Sequence, residues 1–421
     1  VNLHSLILIL GMMFIVQISA EVGLFQFIGV LAIKLSKGKP IALMIILCTI
    51  SVLFSAVINN ILTVMILIPL TITISRILKI DPTPYILTEA ILVNIGGTFF
   101  SISSIPNILI TTAADITFAE YFLNVGLFSI AIAGITILFF IFMYRKDFSD
   151  PGKRLVDTLD EFNVWNFVQS KRLLYASMAS IGLLMLGFVL IGPVIRPDKV
   201  PPSVFAFAIA MILTIFSAIL GLKPKEIIKS FDLELILYLL GVFVIAGAME
   251  TVGIIDIIGN LLKGIGSNNP TFQIILLVWI SAFLSSLIDN IPITKVLIPI
   301  VNIMSTDAGV FFGLSMGANW GDNLTPLGDN ILVLNLAEQH NRPIKMKTFW
   351  KLGFTSTLLQ LYLGTAYFTF FDVKTYFIGL IMILVILVTA GILFIISRFG
   401  KAQAKSNISR GINKFRSMII S

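Results

Sequence analysis

Apolar stretches as long as a bilayer is thick follow one another through almost the whole of this 421-residue chain, leaving no hydrophilic block large enough for a soluble domain. A helix needs roughly 20 apolar residues to cross a hydrocarbon core of about 30 Å. Such segments fall near 4–28, 41–58, 61–75, 85–112, 121–144, 173–193, 202–222, 233–259, 271–288, 291–304, 309–337, 349–370 and 375–398. With 57% of residues hydrophobic and 12% charged, the chain reads as an all-α polytopic membrane protein whose surroundings are lipid.

The segments repeat, at nearly one spacing. Glu21 in ISAEVGLFQFIG answers to Glu250 in GAMETVGIIDIIG, an offset of 229, and SAVINNILTVMILIP (55–69) matches SSLIDNIPITKVLIP (285–299) at 230. Asn94-Ile95-Gly96 pairs with Asn319-Trp320-Gly321 at 225, and Asn107 with Asn330 at 223. Four matches in one order indicate a duplication.

Basic residues set the orientation of the two copies. Lys34, Lys37 and Lys39 precede the pair 41–58/61–75 and Arg76 and Lys79 follow it. That pair therefore leaves and returns to one basic, cytoplasmic side. The pair 271–288/291–304 is flanked by Asn268, Asn269, Ser305 and Asp307, so it enters from the other face. Two re-entrant hairpins pointing at each other require inverted-topology repeats. The expected division is a first repeat over 1–144, a cytoplasmic linker over 145–172, a second repeat over 173–372, and an extra helix with a basic tail over 373–421. The first residue falls outside the cytoplasm and the C-terminus inside, in the plasma membrane. Because 173–193 and 202–222 have no counterparts in the first half, two helices are expected to be missing ahead of Val1. No signal peptide is expected in the opening segment, which lacks a basic flank and a cleavage site.

Polar residues gather at four places inside these spans. Asn59, Asn60 and Thr63 mark one hairpin tip, and Asp289, Asn290 and Thr294 the other. The spans 94-NIGGTFFSISSIPN-107 and 317-GANWGDNLTPLGDN-330 are interrupted. Broken backbone at membrane depth survives only where it is buried in protein or lines a water-filled cavity. Each repeat is thus expected to combine a re-entrant hairpin with a discontinuous transmembrane helix. The candidate substrate and ion site comprises the two tips together with Asn94, Gly96, Gly97, Thr98 and Asn107 of the first break. The second break contributes Asn319, Gly321, Asp322, Asn323, Thr325, Asp329 and Asn330. Half-helix N-termini suit an anion, and carbonyl, Asn and Asp oxygens suit Na⁺ or a proton. Charge inside a bilayer is costly and so marks function, which makes Asp289, Asp322, Asp329 and Lys295 candidates for coupling. A plainer reading has the tips as ordinary turns at the far surface, the glycines as helix-packing points, and Lys295 reaching outward or held in a fixed ion pair. Glu21 and Glu250 read equally well as helix-end residues.

Other chemistry is excluded. The lone Cys48 forms no disulfide within the chain, and His4 and His340 lack metal-ligand or catalytic spacing. No catalytic residues, metal site or cofactor are expected beyond a bound Na⁺. The net charge of +7 lies in loops between spans, so nucleic acid is not a partner.

The runs GMMFIVQISAEVGLFQFIGVLAIKLSKGKP, DNIPITKVLIPI and GANWGDNLTPLGDNILV resemble the arsenite permease and pink-eyed-dilution branch of the ion transporter superfamily, with its citrate transporter-like domain. The resemblance implies a homodimer that works by elevator-like alternating access, with both tips and the loops around Gly96-Gly97 and Asn323-Leu324-Thr325 holding ion and substrate. This chain departs at 103-SSIPN-107, where an acidic residue is missing, and at Lys295, where a small residue is expected. The function expected is proton-coupled transport of arsenite, antimonite or another small anion. The alternatives are a Na⁺/H⁺ antiporter and, third, a Na⁺-coupled dicarboxylate transporter.

Overall fold

Proline and glycine place the ends of the helices. The computed structural model describes residues 3–37, 39–145, 163–191, 200–222, 233–265, 269–305, 307–328, 330–372 and 375–386. The first half consists of α1 (Leu3–Glu21), α2 (Leu24–Leu35), α3 (Pro40–Val57), α4 (Asn60–Leu78), α5 (Thr83–Gly96), α6 (Ile105–Ala113) and α7 (Phe118–Tyr144). Two helices, α8 (Lys171–Leu190) and α9 (Pro202–Ile219), precede the second half. That half runs through α10 (Leu233–Thr251), α11 (Ile254–Ile265), α12 (Pro270–Leu287), α13 (Asn290–Met304), α14 (Ala308–Gly321), α15 (Asn330–Gln339) and α16 (Met346–Phe371). Pro40, Pro106, Pro202 and Pro270 all fall in the first turns of their helices, where the missing N–H has no intrahelical partner to lose. Among the described residues seven helices are long and apolar enough to cross a membrane, or eight if the bent pair α10/α11 counts as one span.

The duplication extends to individual contacts. In the hairpin α3/α4, Ser55 Oγ donates to the Val93 carbonyl of α5, and in α12/α13 Ser285 Oγ donates to the Ala318 carbonyl of α14. Ser103 and Thr325 donate to the Ala56 and Ser286 carbonyls, closing each break against its own hairpin. Gly96 lies against the Val52 backbone and Gly321 against Ala282, so close that a Cβ at either would overlap main-chain atoms. Pro69 and Pro299 sit inside the returning helices α4 and α13 at matching places. Each repeat is a re-entrant helical hairpin packed on a discontinuous helix, and the two are inverted copies, as their residue pattern requires.

Two expected spans differ from the structure. The stretches 4–28 and 233–259 read as single apolar runs but break at Gly23 and Gly253, whose φ values of +89° and +77° lie in the left-handed region that favours glycine. The second break bends the chain by 74°. Beyond each bend lies a 12-residue helix, α2 or α11, whose sequence is apolar enough to be taken as more of the same span. Glu21 ends α1, where its Oε1 accepts from Gln169 at 3.4 Å, and Glu250 is exposed near the end of α10.

The chain divides into two compact units, Val1–Leu361 and Tyr362–Ser421. In the second, the Tyr362 hydroxyl meets the Met382 carbonyl of α17 (Tyr376–Ile386) at 3.4 Å. Everything that follows lies in the first.

Candidate functional site

The two hairpin tips are built differently, and only the first is closed by a side-chain cap. Asn59 caps α4, its Oδ1 accepting from the Leu62 N–H at 2.8 Å, and Thr63 Oγ1 returns to the Asn59 carbonyl at 3.0 Å. Asn60 accepts from Ser55 Oγ at 2.7 Å and donates from Nδ2 to Asn94 Oδ1 at 2.6 Å. At the other tip Asp289 holds the N-cap position of α13, and its Oδ2 accepts from the Tyr238 hydroxyl of α10 at 2.9 Å. Asp289 Oδ1 and the fully buried Thr294 Oγ1 have no hydrogen-bond partner among the described residues. The second tip thus keeps unused oxygens.

The two breaks grip each other. Asn94 Nδ2 donates to Asn323 Oδ1 at 2.8 Å and to Asp322 Oδ2 at 3.3 Å. Asn319 Nδ2 answers to Asn107 Oδ1 at 2.9 Å. Asn107 Nδ2 holds the Gly97 carbonyl at 2.6 Å, and its counterpart Asn330 Nδ2 holds the Asp322 carbonyl at 3.0 Å. Asn323 closes the set through Nδ2 to the Ile91 carbonyl at 2.9 Å. A buried amide costs free energy unless its donors and acceptors are met, and here the amides of one repeat satisfy those of the other. Asn319 Oδ1 remains without a partner among the described residues. It looks onto Gly97, where an ideal Cβ would stand 3.6 Å from it and 3.0 Å from Asn60 Oδ1.

The tips share a cavity of about 250 Å³ lined by Asn59, Asn60, Asp289 and Asn290. Ile61 and Ile291 of the tips and Ser104, Ile105 and Pro106 at the start of α6 complete it, together with Glu234 and Tyr238 of α10. Three helix N-termini, those of α4, α6 and α13, open on this space, and N–H groups at a helix start favour an anion. Asp289 and Glu234 face the same space, so any anion there needs a cation or proton alongside.

Not every candidate residue is brought to this cavity. Thr98 lies between α5 and its neighbours, accepting from Trp320 Nε1 at 3.1 Å and donating to Ser129 Oγ at 2.9 Å. Thr325 serves the backbone of the second hairpin, and Gly96 and Gly321 serve packing. The Lys295 Nζ sits 5.0 Å from the Phe243 ring on α10 and does not line the cavity. Asp329 lies outside the described residues. Sequence reasoning passed over Tyr238, Glu234 and Ser104, which line the cavity, and Ser315 and Tyr121, which stand behind Asn107 with a 2.7 Å bond between their hydroxyls. Ser104 was legible as the residue before Ile105-Pro106, an N-cap signature. Tyr238 carried no signal, because its position in the first repeat is Ile9.

Two hairpin tips that meet at one cavity, each packed on a broken helix whose amides grip those of the other repeat, are the architecture of a membrane transporter. The family described as citrate transporter matches residues 1–311 and 194–419, and the chain belongs to that family. It is 28% identical over 374 residues to an uncharacterized transporter of Mycobacterium tuberculosis, covering 86% of this chain and 84% of that one. The human P protein is 27% identical over 446 residues, covering 87% of this chain and 53% of the P protein. Among solved structures, the Alcanivorax borkumensis YdaH transporter, described as having an unusual topology, superposes with a TM-score of 0.54 at 16% identity over 85% of this chain and 84% of its own, a likeness of fold.

Proposed function

We propose that this protein is a secondary active transporter that carries a small anion across the membrane, driven by protons or Na⁺, by elevator-like alternating access as a homodimer. The observation behind this reading is the 250 Å³ cavity at which both tips meet. It is smaller than the roughly 300 Å³ at which pockets for drug-sized ligands begin, and it combines helix N-termini with two carboxylates. The N-termini would hold the anion, with Asn59, Asn60 and Asn290 giving it direction. Asp289 would hold the accompanying cation or proton. Arsenite and antimonite come first by resemblance of sequence, and the family's description adds citrate.

Proteoliposomes loaded separately with arsenite, antimonite, citrate and a dicarboxylate, under an imposed pH or Na⁺ gradient, test the reading. Saturable uptake of one anion that collapses with the gradient is expected. Na⁺/H⁺ exchange with no anion flux would replace it with the second reading, an antiporter. That reading has its own support in the unused oxygens of Asp289, Thr294 and Asn319, since hard cations take oxygen ligands.

A further inference from the structure

Three cavities adjoin one another through shared lining residues, and α1 runs beside two of them. The first is the site between the tips. It shares Asn59, Ser104 and Ile105 with a second, of about 40 Å³, and the second shares Ile102 with a third of about 730 Å³. Helix α1 lines the second and third cavities from Val16 to His4, a length of roughly 18 Å at 1.5 Å per residue.

All three have mixed linings. In the large one Thr111, Thr112 and Asp115 stand among Leu8, Ile102, Phe118 and Phe188, and His4 Nδ1 meets Ser203 Oγ at 3.1 Å on its wall. In the small one Met12 and Met13 of α1, Leu62 of the first tip, and Ile102 and Ile105 of the break form an apolar collar beside Asn59, Ser103 and Ser104. An apolar collar with so little room between two larger cavities opposes the passage of a hydrated ion. At the other end the site opens beside Glu234, which is exposed. One side of α1 is fixed in place, with Gly11 so near Ala206 and Phe207 of α9 that a Cβ would stand 3.0 Å from their backbone. Met12, Met13 and Val16 face the collar instead.

We infer that the run of cavities along α1 is the solute's route to the His4 end of the molecule, and that the Met12–Met13 collar closes it in this conformation while the site stands open beside Glu234. The inference rests on the transport reading above and adds the path, the closed point and the side that is open. The vestibule ahead of the collar receives the solute, and parting the first tip and α6 from α1 opens the collar. No new contact with solute is needed at the methionines. They act by filling space that water and ions must otherwise cross.

Cys48 is the chain's sole cysteine, so a Cys48→Ala background gives a clean reporter. In it, Met13→Cys and Ser101→Cys are each exposed to a charged, membrane-impermeant thiosulfonate from either side of oriented vesicles, with Leu123→Cys, 61% exposed on the outer surface of α7, as the lipid-facing control. A thiol whose pKa lipid raises by about two units yields roughly 100-fold less thiolate. Ser101→Cys is therefore expected to react from one side about 100-fold faster than the control. Met13→Cys is expected to react from the same side only while substrate and gradient cycle the protein. A bulky adduct at Met13 should stop flux and a methyl adduct should not. Thiols at both positions that stay as slow as the control while flux is normal would overturn the route. Reactive thiols in a protein that carries none of the tested solutes would instead overturn the transport reading and leave the route standing.

Discussion

Asn94 of the first broken helix donates to Asn323 of the second at 2.8 Å, so the two repeats are joined by side-chain amides at the places where their helices stop. The return bond from Asn319 to Asn107, at 2.9 Å, makes the joint two-fold in character although the residues differ. Asn94 also accepts from Asn60, which places one side chain between a hairpin tip and the opposite repeat.

Replacing Asn94 by Leu should therefore do more harm than loss of one interhelical hydrogen bond, which averages about 0.6 kcal/mol inside membrane proteins. It leaves Asn60 Nδ2 buried without its acceptor and Asn323 Oδ1 with only the 3.4 Å bond from Asn330, and an orphaned buried polar group costs about 1–3 kcal/mol. A fall in the thermal unfolding midpoint of the detergent-solubilised protein, larger for Asn94→Leu than for Thr63→Val, is the expected result. Equal midpoints would mean that the joint contributes little.

Gly96 and Gly321 face backbone rather than side chains, so nothing flexible can yield to an added methyl group. Alanine at either should destabilise by at least the roughly 1–3 kcal/mol of an overpacked core, and by similar amounts in the two halves. Gly134 on α7 has open space around its Cβ position. Gly134→Ala should instead be neutral or stabilising by up to about 1 kcal/mol from helix propensity. Thermal shift measured on all three variants in one detergent tests the contrast.

The breaks could be read from sequence because glycine, asparagine and proline cluster in apolar surroundings for one reason, and the repeat made that reason visible twice. Single glycines did not give themselves away. Gly23 and Gly253 end their helices at a positive φ, the second with a 74° bend, yet the sequences of α2 and α11 continue the hydrophobic run. Only a positive φ, which sequence does not report, separates such a glycine from an ordinary packing residue. The cavity was half legible. Its tips follow from the duplicated Asn pairs, whereas Tyr238 and Glu234 reach it from α10, about 50 residues before the tip they face, through folding that no local pattern encodes.

Lys295 stands within α13 but does not line the cavity between the tips. Its counterpart in the first repeat is Met65, and its ammonium rests over the Phe243 ring, an arrangement worth about 0.5–1 kcal/mol at partly exposed positions. Lys295→Met should thus retain most anion flux and its dependence on the driving gradient. Loss of that dependence in proteoliposomes, with the protein still folded, would return Lys295 to a coupling role.

Asp289 and Tyr238 join the second tip to α10 through a 2.9 Å hydrogen bond, and the phenol occupies one oxygen of the carboxylate that a proton or Na⁺ would use. Tyr238→Phe removes the competitor without removing the carboxylate. A net hydrogen bond of about 0.5–1.5 kcal/mol corresponds to an increase in affinity of up to roughly tenfold, so the half-saturating concentration of the driving cation should fall. Asp289→Asn keeps the shape and removes the charge, and flux should become independent of that cation. A tip that merely needs its hydrogen bond for order would respond differently, with both variants losing maximal rate and neither shifting half-saturation. Cation titrations of initial uptake in the two variants and the parent separate these outcomes, and a cation dependence that survives Asp289→Asn would remove this carboxylate from the coupling step.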